Sequence, residues 1–256
     1  MAPRPMFAAV VATLLLCLPC WARYHDQQYL AAVPFDFRDA VGEDAGEFAT
    51  VLLDAFSPDP DWRYIHQFED EYPDYAWNCM RKTFKPLLED PAASGLTIRV
   101  IAVPDETSER GSRVVSLSVW QFNKTSESTQ ALWPMGIAAW SDKCDLHLDI
   151  NMTRSDQFVG EMTAAQKKYL DDVYPRQVYL GGLATHPKWD GNGFAATHLH
   201  WGMALADNMG LPTTLIGTPA GHPLYKSVGF QDIHNITFER LDGKGIIWHE
   251  VMKYPA

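Results

Sequence analysis

The residues best suited to chemistry fall between Val178 and Phe230. The run Val178 to Ala184 (VYLGGLA) reads as a strand, and Thr185 to Gly193 (THPKWDGNG) as a turn carrying two glycines. Gly193 to Gly210 then reads as a helix, with Ala195, Leu199, Gly202, Ala206 and Met209 recurring in steps of four and three and Met203 beside them. The first N–H groups of a helix have no partner inside it and point outward. A glycine without Cβ lets a ligand approach the backbone closely. With the helix dipole, such a turn can cradle phosphate. The turn lacks the Gly-Lys-Ser/Thr ending of a Walker loop and is not G-x-G-x-x-G. Two glycines before a helix are, taken alone, most often only a turn.

Three groups of side chains stand near that segment as candidates for proton transfer. His186 titrates near neutrality and can act as a base, or it is simply a turn residue before Pro187. Tyr225 offers a phenolic proton over the physiological range, or it is a packed aromatic ending a short helix. Asp145, His147 and Asp149 alternate with Leu146, Leu148 and Ile150, which predicts one shared strand face. That face is either a base or metal site, or a solvated surface. His198 and His200 lie two apart on the predicted helix, about 200° around it, and cannot hold one ion between them. No cysteine spacing fits a zinc site, and no metal is expected.

Positioning these groups requires a scaffold, and the rest of the chain supplies alternating elements. Phe35 to Arg38 predicts a first strand, Glu43 to Phe56 a helix, and Pro58-Asp59-Pro60-Asp61 a hard stop. A second helix is expected over Tyr72 to Leu88, with strands at Leu96–Val103 and Val114–Phe122. Lys124 to Gln130 reads as loop, Ala131 to Trp140 as an apolar stretch, and Thr163 to Val173 as a short helix. Thr213–Ile216 reads as a strand and Leu224–Val228 as a short helix stopped by Gly229. Two closing strands follow, from Phe230 onward and over Ile246–Tyr254. That order argues one mixed α/β domain.

Composition narrows the functional class. A chain of 256 residues with 46% hydrophobic and 21% charged residues is ordinary globular protein, large enough to bury a core without metals. Its formal net charge of −11 speaks against nucleic acid and against an anionic membrane surface. Nine Trp suggest either an aromatic pocket or a large core with half-buried rings.

Residues 1–22 read as a secretory signal: Arg4, an apolar run from Phe7 to Leu18, then Cys20 and Ala22 at the −3 and −1 positions. A cut there leaves Cys79 and Cys144, whose pairing the sequence does not decide. Three sequons, at Asn123, Asn151 and Asn235, agree with that route as N-glycosylation sites. The expected location is the secretory pathway or outside the cell, without stable membrane association after cleavage. A cytoplasmic location follows if the leader is not used.

At this point a resemblance enters. Leu183-Ala184-Thr185-His186-Pro187 through Asp190-Gly191-Asn192-Gly193-Phe194-Ala195 resembles motif A of the GNAT-type N-acetyltransferases, a strand and then [QR]-x-x-G-x-[GA] opening a helix. Leu224-Tyr225-Lys226-Ser227-Val228-Gly229-Phe230 resembles the same family's L-Y-x-x-x-G-F element, in the right order. The resemblance spans residues 35–254 and has a fungal-looking texture.

The resemblance implies a single GNAT-like domain with a central twisted, mostly antiparallel sheet flanked by helices. The sheet would be splayed between the strands at 178–184 and 213–217. It implies acetyl-CoA as co-substrate, its pantetheine on the backbone of Leu183, Ala184 and Thr185, and its pyrophosphate on Gly191, Asn192, Gly193, Phe194 and Ala195. Tyr225 would be the general acid toward the leaving thiolate, with His186 as candidate base. The acceptor would be a small-molecule amine, including polyamines or secondary metabolites. The sequence departs from the motif at Asp190, where Gln or Arg is usual, and at Asn192, where a base is usual. Lys188 is placed to supply the missing cation. The alternative these departures raise is a secreted GNAT-like binding module, its Trp-rich cleft holding another ligand without CoA turnover.

Overall fold

The computed structural model describes residues 33–125, 144 and 147–254. The chain divides into two units, Met1–Val33 and Pro34–Ala256, and every element below belongs to the second. Among the described residues seven strands form one sheet, in the order β1-β2-β3-β4-β5-β7-β6. They are β1 (Asp36–Asp39), β2 (Thr97–Pro104), β3 (Ser112–Thr125), β4 (Arg176–Thr185), β5 (Thr213–Gly217), β6 (Gln231–Glu239) and β7 (Ile246–Tyr254). All neighbours run antiparallel except β4 and β5, which are parallel. The helices are α1 (Ala45–Phe56), α2 (Pro60–Ile65), α3 (Tyr75–Glu89), α4 (Met152–Gln166), α5 (Phe194–Met209) and α6 (His222–Ser227). This is the mixed α/β fold with a mostly antiparallel sheet that the resemblance implied.

The core has two parts. One gathers Phe48 and Leu52 of α1, Met80 and Phe84 of α3, and Phe158 and Met162 of α4 against Val100, Leu117 and Tyr179 of the sheet. The other joins Leu199, Met203 and Ala206 of α5 to Trp120, Val178 and Leu215. Of the spacing read over 193–210, Leu199, Gly202, Met203 and Ala206 lie on the buried face of α5, Ala195 is half-buried, and Met209 in the last turn is exposed. Gly210 closes that helix at φ 63, the left-handed conformation glycine adopts without strain. Tryptophans serve this packing: Trp62 and Trp120 are fully buried, and Trp201 meets Phe37, Trp120 and Phe122 edge-on.

Four expectations are corrected. Pro58 to Asp61 is not only a stop. Asp59 caps a new helix by accepting the Asp61 N–H at 2.8 Å, and Pro60 takes the first helical position, where a missing N–H costs nothing. The helix placed at Thr163–Val173 begins earlier, because Asn151 caps it by accepting the Arg154 N–H at 3.2 Å. Ser155, Phe158, Met162 and Ala165 give it a buried stripe, and a π-helical turn, Lys167–Asp171, extends it. β3 runs on through Asn123 to Thr125, beyond the predicted loop start at Lys124.

The fourth correction concerns the alternating acids. His147 to Ile150 form a turn with His147 at φ 45, not a strand. Asp149 is buried there, its Oδ2 2.6 Å from His66 Nδ1, while Asp145 lies outside the described residues. Among the described residues no three His, Cys, Asp or Glu side chains are grouped to hold a metal. Residues 126–143, which include the predicted loop and the apolar stretch from Ala131, are likewise outside them. Cys79 of α3 and Cys144 are joined as a disulfide, Cα to Cα 5.5 Å.

Candidate active site

The site begins with a strand pair that stops pairing. β4 meets β5 only through Val178 with Thr213 and Tyr179 with Thr214, and beyond Tyr179 the two diverge. On its other side β4 stays paired with β3 as far as Thr185, but with an irregularity: Trp120 opposes Leu180 and Val119 opposes Gly182, leaving Gly181 extra. Such a bulge shifts the alternation of the backbone by one residue. Val178 donates its N–H toward the β5 side, to Pro212 O at 2.9 Å, whereas His186 donates to Val115 O of β3 at 2.9 Å. By alternation, Leu183 and Thr185 turn their backbone groups to the open edge. These are two of the three positions the resemblance implied for pantetheine.

The divergence opens a cavity of about 320 Å³. Its floor is β4 from Leu180 to Thr185, its far wall Ile216, Thr218, Ala220 and Gly221, and its lid Leu224 and Tyr225 of α6. Asp190 and Ala195 border it at the glycine turn, and Phe56, Phe158 and His249 close the end opposite. No Trp is among these lining residues, so the Trp-rich cleft is corrected to a cavity of small and aliphatic side chains.

The turn is built as its glycines require. Gly191 and Gly193 stand at φ 78 and 76, and an added Cβ on either would meet nothing within 4 Å. The glycines therefore serve the backbone conformation and leave open space beside it. Asn192 ties the turn together by donating from Nδ2 to Trp189 O at 2.9 Å and Asp190 O at 3.3 Å. It acts as a brace where the motif has a cation. Asp190 is exposed and does not cap α5, whose cap is Gly193. Lys188 is exposed beside it, whereas Phe194 is buried against Phe35, ring centres 5.3 Å apart, and packs beneath the turn.

Tyr225 reaches the cavity from α6 with its ring nearly buried. Two glycines make room for it. A Cβ on Gly217 would lie 3.0 Å from Tyr225 Cδ2, and one on Gly221 2.9 Å from Cε2. Burial pushes the phenol well above its ordinary value, so its proton stays on the oxygen at any physiological pH.

His186 is placed differently. It is not among the cavity's lining residues, and both ring nitrogens are engaged: Nδ1 accepts the Lys188 N–H at 3.1 Å, and Nε2 lies 2.9 Å from Asp54 Oδ2. In this geometry His186 caps the short helical turn after it, and a ring held at both ends presents no free lone pair. The imidazole that does line the cavity is His249 of β7, fully buried, with neither nitrogen hydrogen-bonded. Its Nε2 faces Asp61 Oδ2 of α2 at 3.6 Å. Burial lowers His249 to about 4. Asp61 is raised to about 7, first by burial and then by the charge of Asp59, with Arg240 opposing. His249 carried no sequence signal, since it sits in an ordinary strand pattern. Gly217 and Gly221 around the Tyr225 ring were visible as a Gly-Thr-Pro-Ala-Gly run after a strand.

A parallel pair that parts after two rungs, a bulged floor and a glycine turn opening α5 fit the splayed sheet that the resemblance implied. No protein-family model matches the chain. A curated protein of Stachybotrys chartarum named "Acetyltransferase" is 25% identical over 202 residues, which is 78% of this chain and 82% of that one. A structure of a histone acetyltransferase HPA2 and related acetyltransferase from Corynebacterium glutamicum matches at a TM-score of 0.52 and 20% identity, over 86% of this chain and 96% of its own. A polyamine N-acetyltransferase of Drosophila melanogaster matches at 0.54 and 12%, over 87% of this chain and 100% of its own. An agmatine N-acetyltransferase matches at 0.54 and 15%, over 86% of this chain and 96% of its own. These structures share the fold of the chain, and the curated relative carries the name acetyltransferase.

Proposed function

We propose that this protein is an N-acetyltransferase that moves the acetyl group of acetyl-CoA to the amine of a small molecule. The observation that carries the reading is one cavity shared by the open edge of β4, the glycine turn and Tyr225. Acetyl-CoA would lie along that edge with its pantetheine on Leu183 and Thr185 and its pyrophosphate on the amides that follow Gly191. The amine attacks the thioester carbonyl directly, the C–N bond forms, the C–S bond breaks, and Tyr225 donates its proton to the departing sulfur. The named activities of similar proteins, on polyamines and agmatine, support an amine acceptor. Release of CoA thiol across a panel of primary amines tests this. Turnover with at least one amine is expected, and neither turnover nor acetyl-CoA binding would defeat it.

We place the enzyme in the secretory pathway, on the leader at 1–22, the three sequons and the Cys79–Cys144 disulfide, which suits an oxidising compartment. Asn151 and Asn235 already use their amides, toward Gln67 Oε1 and Glu250 Oε2, each at 2.8 Å. Mass spectrometry of native protein tests this: a start at Arg23 with glycan on Asn123 is expected, and an intact Met1 with bare Asn123 refutes it.

A further inference from the structure

We propose that His249, oriented by Asp61, is the catalytic base that removes the proton from the incoming ammonium. This rests on the acetyltransfer reading above. β7 pairs with β5 only as far as Glu250 with Gly217, and His249 is the next residue, standing where β5 ends and the cavity opens. The same cavity is lined by the open edge of β4, by Tyr225 and by His249, so acid and base candidates share one space.

A buried imidazole with two unmet nitrogens carries a desolvation penalty, and a native fold seldom leaves one without cause. Asp61 Oδ2 is buried and unmet in the same way, and it faces His249 Nε2 at a distance slightly beyond a hydrogen bond. Phe158 packs edge-on against the ring at 5.4 Å and fixes its plane. Catalytic hydrogen bonds are often long before substrate arrives and tighten when it does. With Asp61 ionised, it accepts Nε2–H and leaves the Nδ1 lone pair for the amine. With Asp61 protonated, the carboxyl donates to Nε2 instead and the lone pair is lost. The charged groups acting on this pair are Asp59 and Arg240, both through Asp61.

The proton balance closes. An ammonium enters with one proton too many to attack; His249 takes that proton and later releases it to solvent. The freed amine attacks the carbonyl carbon, and its second proton leaves the new C–N centre as Tyr225's proton reaches sulfur. Tyr225 is then reprotonated, so the products are acetamide, CoA thiol and one proton. No other group competes well for the role: the lining Asp190 is an exposed carboxylate at the mouth, and His186, outside the lining, is engaged at both nitrogens.

The test compares wild type with His249→Gln, which keeps a polar side chain of similar size without basicity. With benzylamine, agmatine and spermidine as acceptors, kcat/KM should fall by about 10²–10⁴-fold at pH 7, while acetyl-CoA affinity by calorimetry stays within twofold. The deficit should shrink at alkaline pH, where the amine deprotonates unaided. Added imidazole should restore part of the rate to His249→Gly. Asp61 is a positioning residue, so Asp61→Asn should abolish the rise in rate through neutral pH; a purely structural role would lower Tm and leave that profile in place. Should the Gln variant fail to fold, Asp61→Asn decides alone. Wild-type turnover with His249→Gln within fivefold, or with an unchanged profile in Asp61→Asn, overturns this inference and spares acetyltransfer. Absent thiol release and acetyl-CoA binding in wild type overturn both.

Discussion

Replacing Tyr225 with Phe removes one hydroxyl and leaves the ring that Gly217 and Gly221 accommodate. The packing cost is therefore small. Among the described residues that hydroxyl has no hydrogen-bond partner and is not one of the buried unmet polar atoms, so its removal strands no other group. Tyr225→Phe should thus be about as stable as wild type. Activity should move the other way. Acid assistance is worth about 10²–10⁴-fold, or about 3–5 kcal/mol of barrier. The phenol is a weak acid in this cavity because burial raises it, but the departing thiolate is desolvated in the same place and held to its proton more tightly too. Thiol release at saturating amine reads kcat, and calorimetry reads acetyl-CoA affinity, which should not change. Donors with a more acidic thiol should lose less. A kcat within a few-fold of wild type, or a Phe variant that unfolds several degrees early, would refute the reasoning.

Gly193→Val forces a β-branched residue to φ 76 in open space, costing about 1–2 kcal/mol of backbone strain. It should weaken acetyl-CoA at least tenfold in calorimetry while leaving kcat at saturation near wild type. Gly202→Ala places a Cβ 2.3 Å from Trp120 Cη2, and overpacking should destabilise by about 1–3 kcal/mol despite better helix propensity; urea unfolding would read it. Acid should also weaken the fold. His198 and His249 are lowered to about 3 and about 4, chiefly by burial, so the unfolded chain takes two protons below about 6.5 that the folded chain refuses. Asp61, raised to about 7, binds one proton more in the fold over the same range. From these three groups stability rises between pH 4 and 6.5 by about 1.4 kcal/mol per pH unit. His198→Leu should flatten that slope, and an unchanged slope would contradict the assignment.

Most of the elements could be read directly because their patterns are local. The buried stripe of α5 and the terminal glycine of the same helix are visible in sequence order, and β7 falls on the predicted range. α2 was hidden because a proline at the first helical turn looks like a proline that ends one. The start of α4 was hidden because its cap, Asn151, also reads as a sequon. The glycine turn and Tyr225 were legible through motif order. His249 and Asp61 were not: they lie on elements far apart in sequence, and only the sheet order and the correctly placed α2 bring them to 3.6 Å. For His186 the converse holds, since its proximity in sequence to the turn says nothing of Asp54, which holds it from α1.

The most direct test of acetyl transfer is one titration followed by one assay on wild-type protein: calorimetry with acetyl-CoA, then thiol release on adding primary amines. Micromolar binding with amine-dependent thiol release is expected. Absence of both would mean that the open edge of β4 and the glycine turn serve some other ligand.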